Sequence, residues 1–185
     1  MSTPATGSAR RTELLERAYA YTLEHGLADL SLRPLARAAA TSPRVLLYLF
    51  GSKEQLVREI LAKARREQLT LIAELAPAGA ADFQLVLGEL WRWLAAPRRR
   101  PAIRLFFEAY ALSLRAEPGP WQGFALQSVT DWTAILVAAQ PGVAPELAEA
   151  RATRTLALLR GLLLHLLTGA ANPDHLLALL LADPQ

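Results

Sequence analysis

Residues 31–56 are punctuated so closely that only very short helices fit between the breaks. Ser31 precedes Leu-Arg-Pro-Leu-Ala-Arg-Ala-Ala, Ala40-Thr41 interrupts the run, Ser42-Pro43 restarts it, and Gly51-Ser52 closes the second piece and opens a third. A capping Ser31 predicts a helix from about Leu32 to Ala39, with Pro34 still in the first turn, where its missing N–H breaks no hydrogen bond. Leu32, Leu35, Ala36 and Ala39 recur at i, i+3, i+4 and i+7, giving one buried face. Ser42 is a second cap, and Pro43 suits the first position of a helix running to about Leu49. That helix is expected to turn Leu46 and Leu47 inward and Arg44, Val45 and Tyr48 outward. Ser52 and Gln55 have capping-box spacing, and Lys53 stands at the start of the helix they open.

From Ser31 to Lys53 the charges are of one sign. Between Ser31 and Lys53 the charged residues are Arg33, Arg37, Arg44 and Lys53, with no carboxylate. Residues 1–66 hold eleven Lys and Arg against six Asp and Glu, whereas residues 67–185 hold nine against eleven. A compact, purely basic helical pair suits a duplex groove, where cations replace the counterions condensed on phosphates. Double-stranded DNA is therefore the expected partner of the amino-terminal third.

The run Thr41-Ser-Pro-Arg-Val-Leu-Leu-Tyr-Leu-Phe-Gly-Ser-Lys-Glu-Gln-Leu56 closely resembles the helix-turn-helix of the TetR (tetracycline-repressor-like) family of bacterial regulators. Leu14-Leu15-x-x-Ala18 with Gly26 resembles that family's first helix. The resemblance covers roughly residues 10 to 60. Two positions depart from it: Ala40 stands where the family usually has glycine, and Leu47 where it usually has tyrosine. The resemblance implies a dimeric transcription regulator, most readily a ligand-released repressor of a palindromic operator. It implies DNA contacts from Arg10, Arg11, Ser31, Arg33, Thr41, Ser42, Pro43, Arg44, Val45, Tyr48 and Lys53. Arg33 and Lys53 would meet phosphate, Lys53 beside the orphan N–H groups of a helix start. Arg44 would read a base edge, and Val45 would lie against a thymine methyl or simply be exposed.

The rest of the chain reads as helix as well. Alanine and leucine dominate a hydrophobic content of 52% with few β-branched residues, so an all-α fold is expected. Breakers at Gly26, Pro77-Ala-Gly79, Pro97-Arg-Arg-Arg-Pro101, Pro118-Gly-Pro120, Pro141-Gly-Val-Ala-Pro145 and Gly169 leave about nine helices. The expected layout is a helix-turn-helix domain at 1–52 and a helical ligand-binding and dimerisation body at 53–185. With no cysteine there is no disulfide framework, thiolate nucleophile or Cys-based zinc site. Met1–Ala9 is polar and lacks the apolar core of a signal peptide, so a cytoplasmic protein is expected.

From Leu156 to Leu167 the eighth helix is apolar almost all round. Arg160 and His165 interrupt the run, which is too short for a bilayer, so no membrane partner is expected. A helix without a polar face needs cover on every side, either as a central core helix or as one shared with a partner. The shared reading puts a homodimer on Leu156, Leu159, Leu163, Leu166 and Leu167, with Leu176, Leu177 and Leu180 from the ninth helix. In the family resembled, the last two helices form such a two-fold interface.

An unknown small-molecule effector is also implied by the family. The candidate pocket residues are Trp91, Phe107, Tyr110 and Trp132 as aromatic walls, with Gln127 and His165 as polar contacts. The same aromatic spacing also describes plain core. No cofactor and no metal are expected: no two of His25, His165 and His175 have metal-ligand spacing on one helix. No nucleophile elbow, P-loop or dinucleotide fingerprint appears, so the chain is not expected to be an enzyme. The alternative is a helical ligand-binding or protein-interaction module whose basic pair only packs; salt-dependent binding to a palindromic duplex separates the two.

Overall fold

The computed structural model describes residues 4–28, 30–75, 82–170 and 172–182. Regular structure among them is entirely helical: α1 (Pro4–His25), α2 (Leu32–Ala38), α3 (Pro43–Phe50), α4 (Lys53–Leu75), α5 (Phe83–Ala95), α6 (Arg100–Ser113), α7 (Phe124–Ala138), α8 (Pro145–Leu167) and α9 (Pro173–Leu181). The expected break at Pro77–Gly79 and the expected start of α5 at Ala81 lie outside the described residues. Asp82 caps α5, its Oδ1 accepting from the N–H groups of Gln84 (2.8 Å) and Leu85 (3.3 Å). The Pro97–Pro101 run breaks the helix less than expected. Pro97 opens a single 3₁₀ turn and Pro101 falls in the first turn of α6, so neither ring removes a helical hydrogen bond. Arg99 from that run lies over the Trp93 ring, 4.2 Å from its centroid, rather than standing in a solvated loop.

Contacts divide the chain into two compact units, Met1–Arg66 with Arg104–Ala125, and Glu67–Ile103 with Leu126–Gln185. The first unit has one apolar cluster that takes in Leu14 and Ala18 of α1, Leu35 of α2 and Leu46 and Phe50 of α3. The same cluster includes Leu56 and Ile60 of α4 and Leu105 and Ala109 of α6. The early turns of α4 and a stretch of α6 thus complete the core under the short helices.

In the second unit α5, α8 and α9 pack on one another. Trp91 is 1% exposed, and its indole N–H donates to the Pro173 carbonyl at 3.0 Å, tying α5 to the start of α9. Asn172 caps α9 by accepting from the Asp174 N–H at 2.8 Å, as its position before Pro173 suggests. Gln140 Nε2 donates to the carbonyls of Leu136 (3.0 Å) and Ala148 (3.2 Å), linking the end of α7 to α8.

Helix α8 is less uniform than its sequence suggests. Leu156, Leu159, Leu163 and Leu166 are buried within this chain, as are Leu176 and Leu180 of α9. Of the residues expected at a dimer interface, only Leu167 and Leu177 are partly exposed. The other six fill the subunit's own core. The exposed side of α8 instead carries Ala150, Ala157, Gly161, Leu164 and His165.

Candidate nucleic-acid interface

The turn between α2 and α3 is built by backbone geometry and closed from α1. Ala40 has φ +52°, the left-handed conformation that ends many helices. The Thr41 N–H donates to the Ala36 carbonyl (2.9 Å) and the Ala40 N–H to the Arg37 carbonyl (3.1 Å), the paired bonds of a Schellman turn. This is the position where the resemblance called for glycine; alanine accepts the conformation at some steric cost. The Arg17 guanidinium donates to the Ala39 carbonyl at 3.0 Å, satisfying another acceptor at the helix end.

Ser42 caps α3, its hydroxyl accepting from the Val45 N–H at 3.3 Å. The other two expected caps are simpler than their spacing suggests. Ser31 makes no side-chain cap bond to α2. Ser52 accepts from the Gln55 N–H at 3.0 Å, but Gln55 Oε1 accepts from Arg58 (3.2 Å) rather than returning to Ser52. The Glu54 carboxyl in this first turn is held below its ordinary range, first by its own backbone N–H and next by the Ser52 hydroxyl.

Helix α3 buries Leu46 and Phe50, one turn apart, and presents Arg44, Val45, Leu47 and Tyr48 outward. Leu47 was expected inward and is exposed, because α3 is only eight residues long and the i, i+4 pair already faces the core. Tyr48 is 86% exposed. Arg33, Arg37 and Lys53 are exposed as well, as are Ser31 and Ser42, while Thr41 and Pro43 are half-buried. The outer face is thus basic, with apolar and aromatic side chains between the cations.

Arg10 and Arg11 differ from a free basic arm. Arg10 pairs with Glu13 at 2.7 Å on the exposed side of α1. Arg11 is bound into the unit: it pairs with Glu59 of α4, donates to the Leu49 carbonyl at 3.3 Å and lies over the Phe50 ring. Its guanidinium holds α1, α3 and α4 together.

Glu108 does what sequence reasoning missed. Its i, i+4 spacing from Arg104 suggests an ordinary surface pair on one helix. Instead its carboxylate receives the Leu27 N–H on both oxygens (2.9 Å each) and the Ala28 N–H at 2.7 Å. Gly26, at φ +78°, allows this approach: a β-carbon there would stand 2.9 Å from Glu108 Oε2. Glu108→Ala should destabilise this unit by about 1–3 kcal/mol, because the loop N–H groups lose a charged acceptor. Chemical denaturation followed by helical ellipticity checks it, and an unchanged midpoint would refute the clamp.

The expected pocket residues are divided between the two units. Trp91 is core, and Gln127 and His165 are exposed. Phe107 and Tyr110 belong to the first unit, where Phe106 contacts both rings. Trp132 is buried in the second unit, and its Nε1 has no partner among the described residues. Among the described residues no group of His, Asp or Glu is arranged to hold a metal ion.

Residues 14–60 match the family described as bacterial regulatory proteins, tetR family. No protein of curated function matches the sequence. Among solved structures, the chain is similar to a transcriptional regulator from Rhodococcus sp. Rha1, at 20% identity and a TM-score of 0.76, over 92% of this chain and 91% of that one. It is similar to a TetR transcriptional regulator from Legionella pneumophila, at 16% identity and a TM-score of 0.74, over 97% and 96%. The multidrug binding protein EbrR complexed with proflavin shares 21% identity over 92% and 97%, with a TM-score of 0.66. The chain has the fold of these proteins along nearly its whole length.

Proposed function

Taking residues 14–60 as a tetR-family reading head, we infer that this chain is a DNA-binding transcriptional regulator. We propose that it acts in the cytoplasm as a homodimeric repressor of a palindromic operator, released by a small-molecule effector. The observation that carries the reading is the outer face of α3: Arg44, Val45, Leu47 and Tyr48 exposed together on a capped helix, flanked by exposed Arg33, Arg37 and Lys53. Residues 1–52, together with Lys53 at the start of α4, supply the DNA contacts, and the rest of 53–185 the effector and dimer functions. Binding of proflavin by EbrR supports an effector site in the body. No helix among the described residues is long and apolar enough to cross a membrane.

DNA binding is tested by titrating a palindromic duplex, selected from random sequence, at several salt concentrations. Arg44→Ala should weaken specific binding by about 1–3 kcal/mol and relax preference at one base per half-site. Lys53→Ala should weaken binding to every duplex and lower the salt slope by about one unit. Wild-type affinity in both variants would refute the assignment.

Dimerisation belongs on the exposed side of α8. Gly161 and Ala157 allow close approach of a second helix, and Leu164, 49% exposed, supplies apolar area. Two heads set about 34–36 Å apart would enter successive major grooves, and an effector would act by favouring another spacing. Leu164→Asp should give a folded monomer, since the position is exposed, whereas Leu163→Asp should unfold the subunit. Light scattering with circular dichroism separates these results; a dimer unaffected by Leu164→Asp would place the interface elsewhere.

A further inference from the structure

A cleft of about 450 Å³ lies within the second unit, and none of the residues expected to line a pocket is among its walls. Its walls are the start of α5, the middle of α8 and the end of α9. Phe83, Leu87, Leu158 and Leu179 give it apolar surface, and Leu158 and Leu179 remain exposed to solvent despite their size. The volume is in the range of small-molecule sites.

The polar groups favour a negative charge. Arg151 and Arg154 line one wall of the cleft against one carboxylate among the described residues, Asp82, whose Oδ1 accepts from two N–H groups in capping α5. Arg154 is already engaged by a partner. Arg151 is exposed and makes no ion pair with the described residues. Thr155 also lines the cleft. It is 6% exposed and carries a hydroxyl on the cleft wall. An exposed guanidinium beside two exposed leucines suits a ligand with one charged end and one apolar end.

We propose that this cleft binds an amphipathic monocarboxylate, its carboxylate on Arg151 and Thr155 and its hydrocarbon part against Leu87, Leu158 and Leu179. The site is distinct from Leu164, the apolar contact assigned to dimerisation: six residues at about 100° each place it about 120° around α8 from Leu158. It also stands whether or not the chain reads DNA, because binding is measured on the protein alone.

The test is calorimetric titration of the full-length protein with octanoate, and with octanol as the uncharged counterpart. Octanoate should bind at sub-millimolar concentration. Arg151→Ala and the change from octanoate to octanol should each weaken binding about tenfold, the size expected for a charge-assisted hydrogen bond. Thr155→Val, which keeps the shape, should weaken it severalfold. Arg151 is exposed, so its variant should fold as wild type, and Arg115→Ala, exposed in the other unit, should bind octanoate normally. No heat from octanoate up to millimolar concentration, equal binding by Arg151→Ala, or equal binding of octanol would each overturn the proposal.

Discussion

Trp91→Ala should lower the stability of the protein by about 3–5 kcal/mol, the cost of removing a fully buried aromatic side chain and leaving its cavity. The ring is 1% exposed and its N–H holds the Pro173 carbonyl, so the variant loses packing in α5 and the tie to α9 together. Trp91→Phe keeps most of the ring and loses the hydrogen bond, and should cost less. Urea unfolding followed by ellipticity measures both. A side chain lining an effector pocket would behave differently, with ligand affinity falling at nearly constant stability. Wild-type stability in Trp91→Ala would return this residue to the list of pocket candidates.

Leu46→Ala should cost about 2–5 kcal/mol and abolish DNA binding through the fold rather than through a contact. Leu46 is fully buried and anchors the inner side of α3 in the cluster shared with Leu14, Leu35 and Ile60. Against the usual total of about 5–15 kcal/mol, that loss is large. Tyr48→Ala is the contrasting variant. Its side chain is 86% exposed, so thermal stability should hold while operator affinity falls. Hydrogen exchange should show faster opening of α2 and α3 in the first variant and none in the second. If both variants lost affinity at unchanged stability, Leu46 would be a contact residue and the assigned orientation of α3 would be wrong.

These two expectations mark where sequence patterns suffice and where they do not. Ser42 was legible because a cap acts within three residues of itself. The inner face of α2 was legible because three of its members, Leu35, Ala36 and Ala39, are all buried at helical spacing. Leu47 was misread because an eight-residue helix offers too few turns to fix the direction of its apolar side. Helix α8 failed for the opposite reason: with leucine almost everywhere, composition no longer points to either the core or the exterior. Arg11 and Glu108 could not be assigned, since their partners lie 48 and 80 or more residues away and leave no local trace.

The Glu108 clamp has a consequence for how the protein is made. The first unit draws on two stretches of chain separated by residues 67–103. During synthesis the α1–α3 segment emerges early, but the acceptor for the Leu27 and Ala28 N–H groups and the apolar floor from Leu105 and Ala109 do not yet exist. A nascent chain ending at residue 66 therefore carries its helix-turn-helix sequence without the partners that secure it. Domains usually fold as they leave the ribosome; here the amino-terminal one must wait for its later half. An excised fragment of residues 1–66 should likewise be more readily cleaved by protease than the same segment in the full chain, and stretches transplanted into chimaeric regulators should include residues 104–125.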